Sequence, residues 1–215
     1  PCSLKCDDIM ARLIAYAAEI GDRNEAGLGM ILRATTSMLR RARDNDRANA
    51  LFEAQCRLDD LGAVGMVLKQ MTVPRSALST VYVSVVELAI LLLEEGNTIV
   101  QHRFLTTLQA DPTVWLAGVR RRFSRVAADF REGAATAEGI ATALVLQRLL
   151  QVMCEGHHRG LQNFLRDQLA TARGKAVRAG MRSVDLVAAT CSLLETLTTH
   201  VDARSLALVV QCLDT

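Results

Sequence analysis

The sequence predicts an all-α protein. Half of its 215 residues are apolar, which allows a chain of this length to bury a substantial core. It has only three prolines and 4% aromatic residues, and it is rich in Ala, Leu, Val and Arg, a composition that favours helices over sheets. Apolar residues recur at helical spacing in one segment after another, and no strand pattern competes with them.

Start and stop signals divide the chain into successive helices. Asp7 and Asp8 precede an apolar stripe, and Gly21 stands at a C-cap position, which defines the first helix. Pro74 cannot continue the fourth helix, whereas Pro112 suits the first turn of the seventh. We expect about nine to eleven helices in all. Their predicted ranges are 7–20, 24–44, 47–56, 59–73, 76–96, 98–109, 112–131, 136–155, 158–171, 183–200 and 203 onward.

Charge and hydropathy exclude several classes of partner. The net charge of +2 is the remainder of 25 basic and 23 acidic residues, so no overall field attracts nucleic acid or lipid. The most apolar run, 81–93, is too short to cross a bilayer and contains Glu87, so it is predicted to be a buried helix. The six scattered cysteines are typical of a reducing compartment. The chain starts at Pro1 with no signal-peptide pattern, and we expect it to be a piece of a longer protein.

Two matching helix ends, far apart in the chain, indicate structural repeats. Each Glu-Gly pair follows a Leu-rich helix and precedes a Phe at the same distance: Glu95, Gly96 and Phe104 in the first, Glu155, Gly156 and Phe164 in the second. The Gly is expected to end one helix in the left-handed conformation, and Asn97 or His157 to help start the next.

The short connections imply antiparallel neighbouring helices, packed as a bundle or as a superhelical stack. The matching corners favour the stack, so the predicted architecture is an α-solenoid of antiparallel helix pairs. Because the chain ends within an apolar stretch, we expect the solenoid to be truncated there and the isolated segment to self-associate.

Candidate catalytic and metal-binding groups have structural explanations. Cys154, His157 and His158 lie close in sequence, but a zinc site usually needs a second ligand pair, which the sequence does not offer. Gly27 and Gly29 lie in a helical pattern without the features of a phosphate loop. We therefore assign no catalytic residue, cofactor or metal, and predict that the chain is not an enzyme; a cleft with convergent, pKa-perturbed residues would revive an enzymatic interpretation.

A run of arginines surrounds one serine. Arg120, Arg121, Arg122 and Arg125 flank Ser124, a pattern that basophilic kinases accept, and a phosphate there would neutralise the cluster. Such runs also form ordinary solvated helix faces, and we favour that interpretation. Ser124 is kept as a candidate phosphorylation site.

Three segments resemble a known family. Residues 149–168, LLQVMCEGHHRGLQNFLRDQ, are similar to a helix corner in the associated homology domain of inositol trisphosphate receptors and ryanodine receptors. Residues 55–63, QCRLDDLGA, and 92–101, LLEEGNTIVQ, resemble elements of the same family and favour the inositol trisphosphate receptor branch. Glu95 replaces a customary Gly, and His158 replaces a customary Asn. The linker around 133–139 is shorter than in these receptors, so we expect a divergent homologue.

The resemblance implies a cytosolic solenoid that relays conformational change to the pore of a calcium-release channel. The predicted parts are armadillo-like repeats over 1–132 and associated-domain repeats over 136–215. The expected partners are neighbouring domains and subunits, without nucleic acid or membrane insertion, on the cytosolic face of the endoplasmic reticulum or an equivalent store. A free-standing armadillo-like adaptor is the alternative. The corner residues would then be structural joints: Glu95, Gly96, Asn97, Gln101, Phe104, Glu155, Gly156, His157, Gln162, Asn163 and Phe164.

Overall fold

The computed structural model describes residues 6–20, 23–74, 80–168 and 183–215. These residues form eleven α-helices and no strand, so the all-α prediction is confirmed. In chain order the helices are α1 (Cys6–Glu19), α2 (Glu25–Arg43), α3 (Ala50–Asp60), α4 (Ala63–Thr72), α5 (Thr80–Leu93), α6 (Thr98–Ala110), α7 (Pro112–Arg131), α8 (Ala137–Cys154), α9 (Arg159–Arg166), α10 (Leu186–Thr198) and α11 (Leu206–Asp214). Short 3₁₀ turns, Glu94–Gly96 and Glu155–His157, follow α5 and α8.

The apolar helix α5 lies within the core. It packs against α2, α4 and α8, and most of its residues are buried. A helix that is apolar on all sides needs neighbours on all sides, which explains this position. Its one charged residue, Glu87, is half buried and lies 4.0 Å from Arg40 of α2. The predicted buried helix over 81–93 is therefore present.

The other helices extend the core to which α5 contributes. α1 packs on α2 and α4, α7 packs on α8 and α10, and α11 packs on α8 and α10. One set of contacting buried apolar residues runs from Ile14 in α1 to Cys212 in α11. Because the core is continuous, a displacement of the N-terminal helices is opposed by contacts with the C-terminal ones.

One described segment, Ala137–His157, is long and apolar enough to cross a membrane by length and composition alone. Half of its most apolar 18-residue stretch is buried within the protein. A core helix passes the same test, and α8 packs against α5, α7 and α11. We interpret α8 as a core helix.

Several predicted boundaries were wrong, and among them the third and tenth helices were predicted from residues 47 and 183 but begin at Ala50 and Leu186. We placed a turn between Cys56 and Asp59, but α3 continues through both, and the chain turns at Gly62 with φ of 93°. The last helix was predicted from residue 203, but 203–205 form a turn and α11 begins at Leu206. Continuing α3 beyond Cys56 places Gln55 and Asp59 on one face of this helix, where both are buried.

Some predicted boundaries lie outside the described residues. They are the C-cap at Gly21, the start of the fifth helix at residue 76, and the extension of the ninth helix to residue 171. Within the described part, α9 ends at Arg166, and Asp167 has extended backbone angles.

Candidate functional site

The first predicted corner joins α5 to α6. Glu95 and Gly96 both have left-handed backbone angles, with φ of 65° and 69°. Asn97 follows as the N-cap of α6, and its Oδ1 accepts hydrogen bonds from the backbone N of Ile99 at 3.1 Å and Val100 at 3.2 Å. The corner therefore consists of two left-handed residues followed by a capping side chain.

The second corner, between α8 and α9, has the same conformation, but its two left-handed residues lie one position later relative to the Glu-Gly pair. Its left-handed residues are Gly156 and His157, with φ of 64° and 58°. His158 is the N-cap of α9, and its Nδ1 accepts a hydrogen bond from the backbone N of Leu161 at 3.1 Å. The prediction that His157 helps to start this helix was wrong, because its left-handed backbone belongs to the turn.

The two corners lie next to each other in the structure. A Cβ atom added to Gly96 would lie 3.5 Å from the backbone N of Gly156, and one added to Gly156 would lie 3.7 Å from the carbonyl oxygen of Gly96. An added methyl group would therefore be in ordinary van der Waals contact with the other turn, so the two turns are close neighbours although they are distant in sequence. The corners, predicted as separate repeat marks, form one contact, which we call the corner stack.

A buried glutamine caps the helix that enters the first corner. The Gln55 side chain of α3 is 1% exposed, and its Nε2 donates to the carbonyl oxygens of Leu91 and Glu94, both at 2.9 Å. Its Oε1 accepts from Asn97 Nδ2 at 2.9 Å. The last carbonyls of a helix have no partner within it, so this amide satisfies groups that burial would otherwise leave unpaired.

A second buried glutamine does the same at the second corner. Gln101 of α6 is fully buried, and its Nε2 donates to the carbonyl oxygens of Val152 at 3.4 Å, Met153 at 3.4 Å and Glu155 at 2.8 Å. These carbonyls lie at the C-terminal end of α8. Gln101 thus links the helix leaving the first corner to the helix entering the second.

The accepting carbonyls define the true repeat register. Leu91 and Glu94, which accept from Gln55, correspond to Val152 and Glu155, which accept from Gln101. This repeat is one residue longer than the spacing between the Glu-Gly pairs, so the pairs were aligned one residue out of register. Glu94 and Glu155 are equivalent in another respect, since each lies 3.6 Å from an arginine.

An ion pair links α3 to α6, and a third buried glutamine links α4 to α1. Arg103 Nε lies 3.2 Å from the Asp59 carboxylate, whose side chain is only 3% exposed. Burial raises the pKa of Asp59, and the hydrogen bond from Arg103 opposes that rise. In α4, the Nε2 of Gln70 donates to the carbonyl oxygen of Ala17, near the end of α1, at 2.6 Å. Glutamine capping between helices therefore occurs at three helix ends.

The remaining predicted corner residues divide into core and surface. Phe104 and Phe164 are fully buried. Gln162 and Asn163 are exposed, and Gln162 Nε2 donates to the carbonyl oxygen of Cys154 at 3.4 Å. Sequence reasoning missed the capping roles of Gln55 and Gln70. The signal in the sequence that could have indicated these roles was a glutamine on the apolar face of an amphipathic helix.

The cysteine and histidines at the second corner form no metal cluster. Among the described residues, no group of three or more His, Cys, Asp or Glu side chains is arranged to hold a metal ion. Cys154 is partly buried, and burial raises the pKa of its thiol to about 11. His157 is exposed, and His158 acts as the helix cap described above.

The candidate phosphorylation site lies apart from the corner stack. Ser124 is exposed on α7 and lines a cleft of about 340 Å³ between α7 and α10. Arg120 and Asp185 line the same cleft. Modification of Ser124 stays a prediction.

We expect Glu95→Gly to raise the free energy of unfolding by about 0.5–1 kcal/mol. It removes the left-handed strain of a non-glycine residue, and this gain exceeds the extra chain entropy that Gly gives to the unfolded state. Urea unfolding followed by circular dichroism measures the change. Glu195→Gly, the same exchange at an exposed position inside α10, should lower stability by about 1 kcal/mol. A loss of stability in both variants would contradict our account of the corner.

We expect His158→Asn to keep the cap of α9 and His158→Ala to lose about 1 kcal/mol of stability, because Ala has no acceptor for the Leu161 backbone N–H. Thermal unfolding of both variants compares them directly. His102 is exposed within α6, so His102→Ala should change stability by less than about 0.5 kcal/mol. Equal stabilities for His158→Asn and His158→Ala would refute the capping role.

We expect Gln101→Leu and Gln55→Leu each to lower the free energy of unfolding by about 1–3 kcal/mol, since each leaves buried helix-end carbonyls without a donor. Gln109, also on α6, is half buried and makes no described side-chain hydrogen bond, so Gln109→Leu is the matched control, with a change below about 0.5 kcal/mol. Denaturant titration at fixed pH measures all three. If Gln101→Leu behaved like the control, the cap would have no energetic role.

Comparison with known families supports the resemblance in the C-terminal part of the chain. Residues 139–215, a little over one third of the sequence, match the family model described as RyR and IP3R Homology associated. The matched region begins in α8 and includes the second corner, α9, α10 and α11. The match does not separate the ryanodine receptor branch from the inositol trisphosphate receptor branch. Over residues 139–215 the chain is therefore similar to the RyR and IP3R Homology associated family.

Proposed function

We propose that this chain is a coupling segment of an intracellular calcium-release channel of the inositol trisphosphate receptor type. The matched family supports membership of a calcium-release channel assembly. The resemblance of 55–63 and 92–101 to inositol trisphosphate receptor elements, outside the matched region, supports the branch. The segment has no assigned catalytic step, cofactor or metal; its role is mechanical.

The observation that carries the proposal is the link between α6 and α8. Gln101 connects the part of the chain that precedes the matched region to the C-terminal end of α8, within that region. The neighbouring turns at Gly96 and Gly156 bring the same two parts of the chain close together. A displacement before residue 139 is thus transmitted to the matched region by hydrogen bonds and close packing.

The proposal extends to architecture and location. Equivalent corners that lie next to each other, with equivalent capping amides, support an armadillo-like stack of repeats, divided into parts over 1–132 and 136–215. In the channel, the segment would contact neighbouring domains and subunits on the cytosolic side of the endoplasmic reticulum or an equivalent store. The isolated segment would self-associate through exposed apolar residues of its terminal helices. One of them is Leu213 of α11, which is 69% exposed.

The test uses the full-length protein that contains this chain, expressed in cells without endogenous calcium-release channels. A luminal calcium indicator records release from the store on addition of inositol trisphosphate. We expect release by the unmodified protein, and a rise of about fivefold or more in the ligand concentration for half-maximal release in Gln101→Leu, because coupling energies of about 1–3 kcal/mol correspond to such factors. Gln109→Leu should behave like the unmodified protein.

Two measurements separate coupling from loss of protein. Immunoblotting and native gels should show equal amounts and equal assembly of the variants. A full-length reading frame without downstream apolar spans of about 20 residues would overturn the channel proposal in favour of the adaptor. Unaltered release in Gln101→Leu would reject the corner stack as a coupling element.

A further inference from the structure

A groove on the opposite face of α7 from the Ser124 cleft has not been assigned a role. It lies between the end of α4, the first part of α7 and the start of α8, and it encloses about 1060 Å³. Typical small-molecule sites occupy about 300–1,000 Å³, so this open groove is at or above the upper end of that range. Its size fits a row of side chains from a peptide segment.

The lining of the groove is largely apolar. Met71 and Val73 at the end of α4 face Val114, Ala117 and Val126 of α7. Val114 is 54% exposed, so it offers apolar surface to a partner in the groove. Burying such a surface against a partner is favourable, by about 25 cal/mol for each Å².

The rim of the groove carries an excess of positive charge. Arg121, Arg122 and Arg125 line it, with Asp129 as the acidic lining residue. Asp129 is already engaged, since its carboxylate lies 2.9 Å from Arg125 Nε. Three arginines against one aspartate leave a positive edge along the apolar surface.

Arg121 and Arg122 differ in whether their guanidinium groups are free to bind a partner. The Arg122 guanidinium stacks on the Tyr82 ring, 3.9 Å from its centre, and donates to the carbonyl oxygen of Gly118 at 3.3 Å. Its Nε is buried and has no hydrogen-bond partner in the described part of the chain. Arg121 is exposed and makes no ion pair or hydrogen bond with any described residue. Arg121 is therefore free to meet an acidic group.

We infer that this groove binds an acidic amphipathic helix of a partner protein. The apolar side chains of the helix pack on Val114 and Val73, and its flanking Glu or Asp residues pair with Arg121 and with the exposed side of Arg125. This is the helix-in-groove mode of recognition, with charge complementarity setting the preference for an acidic partner. The inference is independent of the coupling role of the corner stack.

The experiment selects peptides from a phage-displayed library of random 16-residue sequences on the immobilised chain. We expect enriched peptides with apolar residues at i, i+3 or i+4, and i+7 and an excess of Glu and Asp beside them. Fluorescence anisotropy then gives the affinity of the most enriched peptide. Enrichment of basic or neutral peptides, or no enrichment, would overturn the inference.

Charge reversal locates the binding surface. Arg121→Glu should weaken binding of that peptide at least tenfold, and Val114→Glu should do the same from the apolar side. Arg120→Glu is the matched control, because Arg120 is exposed on the same helix but lines the Ser124 cleft. It should change affinity less than threefold. Circular dichroism checks that each variant is folded, and equal losses in Arg120→Glu and Arg121→Glu would overturn the site.

Other anionic partners are the competing outcomes. Vesicles of phosphatidylserine and phosphatidylcholine and a 20-base-pair DNA duplex are measured with the same variants. If vesicles or DNA bind as tightly as the peptide and Arg121→Glu abolishes that binding, the surface binds anions in general. This result would refute the helix groove. Binding of the peptide alone supports it.

Discussion

The last carbonyls of α5 and α8 have no partners within their own helices, and both helices end inside the protein. Gln55 and Gln101 supply the missing donors, and each does so from a helix that belongs to another part of the chain. An amide is suited to this role because it is uncharged, so its burial is less costly than that of a charged donor. The positions of α3, α5, α6 and α8 relative to one another depend on these contacts.

The corner stack follows from the same constraint. Once the ends of α5 and α8 are held by glutamines, the two turns that follow them are brought together, so that a Cβ atom added to Gly96 or Gly156 would contact the other turn. The left-handed backbone at both corners allows each next helix to reverse direction at once. Glu95 occupies one of these left-handed positions, which gives a physical reason for the Gly that is customary there in the resembling family.

The three segments that carry the resemblance are neighbours in space. Gln55 comes from the first, Asn97 and Gln101 from the second, and Glu155 from the third, and hydrogen bonds connect them in that order. A contact network of this kind gives a physical basis for a family signal in segments that lie far apart along the chain. The proposed mechanical role uses the network as a joint, whereas the groove on α7 offers a separate surface for a partner.

Local patterns in the sequence determined much of the fold. Apolar periodicity, Pro112 and the capping residues predicted most helices, because these signals act within a few residues of chain. They also predicted left-handed turns after α5 and α8. They misplaced the turn at Gly62, since Asp59 has a local preference for helix starts that its tertiary contacts outweigh.

Only the tertiary structure decided the register and the contacts of the corners. The sequence showed two Glu-Gly pairs, but the helix-end carbonyls that accept from Gln55 and Gln101 repeat with a spacing one residue longer. No local signal tells whether a buried glutamine faces a helix end or another side chain, because its partner lies many residues away. The sequence by itself determined that the chain is helical and that it turns after α5 and α8; packing decided that these two turns form a single joint.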